Sequence, residues 1–223
     1  MDAAPIWLSL KLAVVTTLLL LIICLPLAWW LSKKRTLFRM LAEVLITMPL
    51  VLPPSVLGFY LLLAFSPQLG LGKWLNDVFD VQLVFSFPGL VLASVVYSLP
   101  FMAGPVKSAL QQLPPSLAQA SYTMGKSEWQ TFRYILLPNI KPALLTAAVL
   151  TFAHTLGEFG VVLMIGGNIP GVTRVASVAV YDAVEQMDYS LAANYSVLLF
   201  GITFLLLMGV FIYNRTQAKS PLE

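Results

Sequence analysis

Five long apolar runs, separated by short polar or basic stretches, set the pattern of this chain. They are Leu12–Leu31, Val44–Phe65, Leu83–Val106, Pro142–Ile165 and Tyr189–Asn214, and only His154 and Glu158, both in the fourth, bring a histidine or an acidic or basic side chain. As a helix, each run is long enough to cross about 30 Å of hydrocarbon. Lipid offers no partner to a backbone N–H or C=O, so helices, which pair these groups internally, are the expected form. The predicted fold class is all-α, an integral membrane protein with about five transmembrane helices in one domain over residues 1–223. The first run is expected to stay as an anchor, because its positive cluster follows the apolar core, whereas a cleaved signal carries its basic region in front.

The stretch between the third and fourth runs, residues 107–141, has a pattern of its own. Pro114-Pro115 stops a helix, Ser116 suits an N-cap, and Leu117 to Met124 fit two turns that end at Gly125, which tolerates a left-handed helix stop. A short helix, a bend and a second short helix are predicted. Leu117, Ala120, Ser121 and Met124 fall on one face, and Trp129 and Phe132 add apolar surface after the bend. On the other side of the membrane, Ser66–Ser86 reads as a loop with a short helix around Lys73–Phe79. Thr173–Met187 reads as a short helix with Val175, Val178, Ala179 and Val184 inward and Asp182, Glu185 and Asp188 on its polar side.

Composition narrows the class. With 59% apolar and 10% charged residues, the chain lacks the polar surface of a water-soluble enzyme. One cysteine, Cys24, and one histidine, His154, leave no disulfide framework, thiolate metal site or histidine metal site to build, so no metal is expected. The net charge of +3 comes from basic residues beside the spans and not from a solvated face, so nucleic acid is not an expected partner. Those residues set orientation instead. Lys33, Lys34, Arg35, Arg39, Lys107, Lys126, Arg133, Lys141, Arg215 and Lys219 collect on one side, while Lys73 and Arg174 fall on the other and Lys11 at the mouth of the first span. Basic loops stay cytoplasmic, so the N-terminus is expected outside, the C-terminus inside, and residues 107–141 in the cytoplasm.

Ala120 to Ser127 reads Ala-x-x-x-x-Gly-Lys-Ser, close to a phosphate-binding loop. That loop follows a buried strand, whereas Gln111-Gln112-Leu113-Pro114-Pro115 precedes this one, so nucleotide binding is not expected on this chain. No catalytic residue and no cofactor are expected here.

Gln119-Ala120-Ser121-Tyr122-Thr123-Met124-Gly125, followed after nine residues by Ile135-Leu136-Leu137-Pro138, resembles the cytoplasmic coupling loop of ABC importer permeases. In that pattern Gln119 stands for a Glu and Ser121 for a second Ala. Thr155-Leu156-Gly157-Glu158-Phe159-Gly160, Gly167-Asn168-Ile169-Pro170-Gly171 with Thr173-Arg174, and Met48 to Pro54 with Gly58 are similar to molybdate permease subunits. Sulfate permeases share the Gly-Glu-aromatic-Gly and Gly-Asn-Ile-Pro elements, while the proline-rich second span and short chain tilt the likeness to molybdate. The resemblance implies one of two identical permease subunits in a bacterial inner membrane, with two ATPase subunits on the cytoplasmic side and an oxyanion-binding protein outside. It implies ATPase coupling at Leu117, Gln119, Ala120, Ser121, Met124, Gly125, Ile135, Leu137 and Pro138. Sulfate or tungstate import, a secondary anion transporter and a membrane adaptor are the alternatives. For the loop itself, the alternative is an interfacial helix on lipid headgroups.

The candidates for the translocation path or its gate are Pro49, Pro53, Pro54, Ser94, Ser98, Gly157, Glu158 and Gly160. Proline removes a backbone donor and frees carbonyls that only a bundle interior or aqueous cavity accommodates, and Pro88, Pro100 and Pro105 are expected to distort the third span likewise. Ser94, Ser98 and Gly104 are small enough for close helix approach. Glu158, about 17 residues beyond Lys141, is expected roughly 25 Å along its helix near the outer face. A fixed carboxylate repels a divalent anion, so its expected role is gate packing, its charge satisfied by nearby amides or a side chain. His154 is expected as a packed, hydrogen-bonded ring. With nothing beyond Glu223, an in-chain metal-sensing domain is not expected.

Overall fold

A computed structural model of the chain describes residues 2–33 and 36–218. Lys34, Arg35 and Lys219, which the charge distribution counts, lie outside the described residues. Among the described residues there are helices and no strands. The first apolar run lies within α1 (Ala4–Ser32) and the fifth within α12 (Tyr189–Ala218), while most of the third falls in α5 (Phe87–Gln112). Each of these three is individually long and apolar enough to cross a membrane.

The second run is two helices. Pro53 and Pro54 have no N–H to offer the preceding turn. The chain therefore leaves α2 (Leu37–Val51) at an extended Leu52 and re-enters α3 (Pro54–Phe65) with Pro54 in its first turn, turning by 115°. The single span expected over Val44–Phe65 is thus replaced by a bent pair. Its two arms meet opposite ends of α5: Glu43 in α2 pairs with Lys107 near the end of α5, whereas Phe65 at the end of α3 joins the apolar cluster that holds Phe87 and Leu90 from its start. α4 (Gly70–Phe79) follows, longer than the predicted Lys73–Phe79. α5 begins four residues later than Leu83, after a turn in which the Phe85 N–H donates to Ile165 O at 2.9 Å. It also runs on to Gln112, so residues 107–112 are helix and not loop. Pro88 sits in its first turn, where a missing N–H is harmless, and only Pro100 and Pro105 interrupt its ladder.

The connecting segment contains α6 (Pro115–Thr123), α7 (Glu128–Thr131), a π-helical turn (Phe132–Leu136) and α8 (Leu137–Asn139). It joins α9 (Lys141–Gly157) through a 76° bend. The fourth run does not continue to Ile165: α9 stops at Glu158, which is extended, and α10 (Gly160–Gly166) starts afresh. α11 (Ala176–Glu185) matches the predicted outer helix, with two exchanges of face. Val184 points outward and Ala183 is buried, while Asp182 turns inward to an ion pair with Arg174.

α1 packs along α5 and α9, and two apolar clusters result. One joins Leu20, Cys24 and Ala28 to Met102, Ala103 and Val106, with Phe132, Ile140 and Ala147. The other joins Leu12 to Leu90, Ala93, Val161, Val162, Ile165 and Val178. Small side chains at these crossings let backbones approach, which is how helices associate where lipid is as apolar as they are. Gly104 has no part in this, since a Cβ there would meet nothing within 4 Å.

Candidate functional site

Two places assemble the residues singled out above. The first is the bend between α6 and α7. Pro115 opens α6 behind Pro114, so Ser116 lies inside the first turn and is not its cap. The helix closes at Gly125, whose φ of +75° falls in the left-handed region, with its N–H donating to Tyr122 O at 2.9 Å and the Lys126 N–H to Ser121 O at 3.2 Å. Ser127 then caps α7 reciprocally: its Oγ accepts from Gln130 N at 3.2 Å, and Gln130 Oε1 accepts from Ser127 N at 2.9 Å. Sequence reasoning missed this cap, although Ser-x-x-Gln is its usual signal.

The predicted apolar face divides in two. Ser121 turns inward, where its hydroxyl and that of Thr131 share a hydrogen bond of 2.8 Å that fixes the two arms of the bend together. Leu117 is half-buried, whereas Gln119, Ala120 and Met124 point outward, Met124 with 77% of its surface open. Tyr122, Trp129 and Tyr134 are exposed beside them, and Phe132, expected on that surface, is buried instead. A Cβ at Gly125 would meet nothing within 4 Å, so the tip faces open space. Ile135 and Leu137 are half-buried behind it and Pro138 is exposed. The π-helical turn carries the chain into Pro138, with the Leu137 N–H reaching back to Phe132 O and Asn139 Nδ2 donating to Ile135 O at 2.7 Å. Lys126 and Ser127 join α6 to α7, so a helix and not a strand precedes the Gly-Lys-Ser sequence.

The second place is a cleft where the two broken runs meet. A Cβ on Gly58 would fall 2.7 Å from Met164 Cβ and 3.1 Å from Val161 Cα, and one on Gly160 would fall 2.8 Å from Pro54 Cβ. The α3–α10 crossing therefore needs both glycines. Beside it lies a cavity of about 450 Å³ lined by Pro54, Ser55, Tyr97, His154, Gly157, Glu158, Phe159 and Gly160. Four of the predicted path residues, Pro54, Gly157, Glu158 and Gly160, thus come together. Pro49 is buried within α2 and Pro53 precedes α3, both off the cavity wall. Ser94 and Ser98 are fully buried in helix contacts, Ser98 sharing a 3.0 Å hydrogen bond with Thr155. Ser98 thus ties α5 to α9, Ser94 Oγ has no hydrogen-bond partner, and neither lines the cavity.

Glu158 is 4% exposed, and its carboxyl oxygens make no hydrogen bond; Ser94 is the hydroxyl beside it, at a geometry outside hydrogen-bond range. The expected satisfaction by amides or a side chain is therefore not met. Its backbone is held instead: Ser177 Oγ in α11 donates to Glu158 O at 2.5 Å, and the Phe159 ring meets that of Tyr181 at 4.9 Å, tilted by 40°. His154 packs between Phe101 at 3.9 Å and Tyr97 at 4.9 Å, but its Nε2 makes no hydrogen bond. Ser55, Tyr97 and Ser177 escaped sequence reasoning because only the fold brings them to this spot. Among the described residues no three His, Cys, Asp or Glu side chains gather as a metal site.

The Gly-Asn-Ile-Pro segment braces this cleft. Arg174 Nε donates to Asn168 Oδ1 at 2.6 Å, Asn168 Nδ2 donates to Asp182 Oδ1 at 2.8 Å, and Arg174 pairs with Asp182 at 3.3 Å. This closed triangle, with Thr173 Oγ1 donating to Gly166 O at 2.6 Å, ties α10 to α11.

Known proteins are similar to this chain in sequence and in fold. The molybdenum transport system permease protein ModB of Azotobacter vinelandii is 42% identical over 217 residues, which cover 97% of this chain and 96% of that one. The sulfate transport system permease protein CysT of Escherichia coli K12 is 33% identical over 192 residues, covering 86% and 68%. A bacterial ABC transporter that imports the acidic polysaccharide alginate superposes with a TM-score of 0.78 at 17% identity, over 96% of this chain and 78% of that one, which supports the fold. Residues 22–218 match the family described as the inner membrane component of binding-protein-dependent transport systems, and the chain belongs to that family.

Proposed function

We propose that this chain is the membrane-spanning subunit of an ATP-driven importer of molybdate. The single observation that carries this reading is 42% identity to a molybdenum permease along nearly the whole of both chains. Import of sulfate is the second reading, favoured by the sulfate permease at 33% identity. The ATPase resides on separate subunits, and an extracytoplasmic protein delivers the anion, in keeping with a binding-protein-dependent family. The exposed tip of α6 and α7, with Gln119, Ala120, Met124 and Gly125 outward, suits insertion in a groove of that ATPase. Ser121 and Leu117 support the tip from within, and Ile135, Leu137 and Pro138 join it to α9.

The permease works as a homodimer in the bacterial inner membrane, lipid around it, with its N-terminus outside and residues 107–141 in the cytoplasm, as the positive charges favour. No cofactor belongs to this chain. The anion passes the cleft at the α3–α10 crossing, where Ser55, Tyr97 and backbone groups offer weak neutral contacts, as transit needs sites that release as readily as they bind. Glu158 packs the gate there rather than binding the anion, since a charged carboxylate opposes a divalent one. The purified permease, ATPase and binding protein in proteoliposomes test this by ATP-dependent uptake of labelled molybdate with sulfate and tungstate competitors. Competition by tungstate but not sulfate is expected; uptake of labelled sulfate in preference to molybdate overturns the choice of anion.

A further inference from the structure

None of the roles above falls to α1, yet its end beside residues 107–141 is bound to the α6–α7 bend by several kinds of contact. Trp29 stacks on Phe132 with ring centroids 4.7 Å apart and 22° between planes. It meets Trp129 at 6.1 Å, and Trp129 and Phe132 lie 5.6 Å apart, so the three rings form one cluster. Lys33 sits over the Trp29 ring at 4.2 Å and reaches Glu128 Oε2 at 2.6 Å. From this cluster α1 runs on against α5, with Leu20, Cys24 and Ala28 packed among Met102, Ala103 and Val106.

We propose that Trp29 is a positioning residue for coupling: it makes α1 move with the α6–α7 bend, so that motion delivered there reaches the cleft through α1 and α5 as well as along α9. The proposal rests on reading that bend as the ATPase contact. Two comparisons support it. The covalent route from the bend to α9 passes a π-helical turn and a 76° bend, each a point where a push is absorbed. α1 has one unbroken helical course of 29 residues, in which Pro5 sits in the first turn, where a missing N–H is harmless, and Pro26 is the sole interior proline. Within the clamp, the rings outweigh the ion pair. Lys33 and Glu128 are 36% and 64% exposed, where an ion pair contributes little, whereas Phe132 is 2% exposed under the Trp29 ring.

The test uses the whole transporter in proteoliposomes, with ATP hydrolysis and labelled molybdate uptake measured side by side. Trp29→Leu keeps an apolar side chain without the stack, and Trp29→Phe keeps a ring. Trp29→Leu is expected to hydrolyse ATP while uptake per ATP falls about tenfold, the scale of one lost aromatic contact, and Trp29→Phe to stay within about twofold of the unaltered protein. Unchanged uptake per ATP in Trp29→Leu, or an equal loss in both variants, overturns the proposal. A second measurement leaves the three rings, Lys33 and Glu128 unaltered: spin labels on Ser32→Cys and Arg133→Cys in a Cys24→Ser background. Their separation is expected to stay constant to within about 2 Å between nucleotide-free and ATP-bound transporter, and a larger change overturns the proposal. If Trp29→Leu does not assemble with the ATPase, this distance decides alone. Gly125→Asp separates the two readings. If it transports normally, the bend is not the ATPase contact; if it is inactive while Trp29→Leu is normal, only the role of α1 falls.

Discussion

A methyl group is enough to disturb the cleft. At Gly160 a Cβ would press on Pro54 Cβ at 2.8 Å and lie 3.4 Å from Ser55 N, and neither neighbour is the free end of a flexible chain. Gly160→Ala is therefore expected to force α3 from α10, at about 1–3 kcal/mol, the usual cost of overpacking. A lower thermal midpoint in detergent and reduced uptake check this. Gly125 is the contrasting case, because a Cβ there has space but the backbone φ of +75° resists one. Gly125→Asp is expected to cost only about 1–2 kcal/mol of local strain, leave the chain inserted, and still abolish uptake by placing a charge at the ATPase contact. Membrane fractionation and co-purification with the ATPase distinguish these effects. At Glu158 the two carboxyl oxygens make no hydrogen bond, so Gln keeps the shape while removing an ionisable group. Glu158→Gln is expected to fold at least as stably and to retain uptake with unchanged anion preference. Glu158→Ala leaves a cavity and loses more activity. A change of preferred anion in Glu158→Gln would assign it to selectivity instead.

Helices at this bend are too short to hold themselves, so caps and ties set their geometry. Ser127→Ala removes one half of a reciprocal cap and is expected to cost about 1 kcal/mol, concentrated in α7. Hydrogen exchange should quicken at residues 128–131 and not in α9; uniform quickening would mean the cap stabilises the whole chain rather than its own turn. The apolar runs were legible at this scale because lipid imposes one simple demand on a backbone. Their interior breaks were not. Pro53-Pro54 signalled distortion, but whether a proline pair bends a span slightly or turns it by 115° depends on what receives the freed groups, here the α3–α10 crossing. The stop at Glu158 had only the glycines at 157 and 160 as a local signal, and its extended backbone is held by Ser177 from another helix. The bend around Gly125 was legible from its own residues, whereas the inward turn of Ser121 required Thr131, and the burial of Phe132 required Trp29.

The helices as a set leave both ends of the chain on opposite sides of the membrane if each bent pair crosses once. Cysteine substitutions at exposed Ala3 and Thr216, in a Cys24→Ser background, test this with a reagent that does not cross membranes. Labelling of Ala3→Cys but not Thr216→Cys from outside is expected; the reverse pattern inverts the topology. α12 stands apart in the assembly. Only 11% of its most apolar stretch is buried within the chain, against 56% for α5. It is pinned at both extremities, by Tyr195 Oη donating to Asp2 O at 2.8 Å and by Asn214 Nδ2 donating to Thr146 Oγ1 at 2.8 Å. A helix open along one face places little demand on that face from within its own chain. Positions such as Val197, Leu205 and Phe211 are therefore free to drift among apolar residues, while Tyr195 and Asn214 are not, and α12 becomes the part of the protein where neutral variation can accumulate.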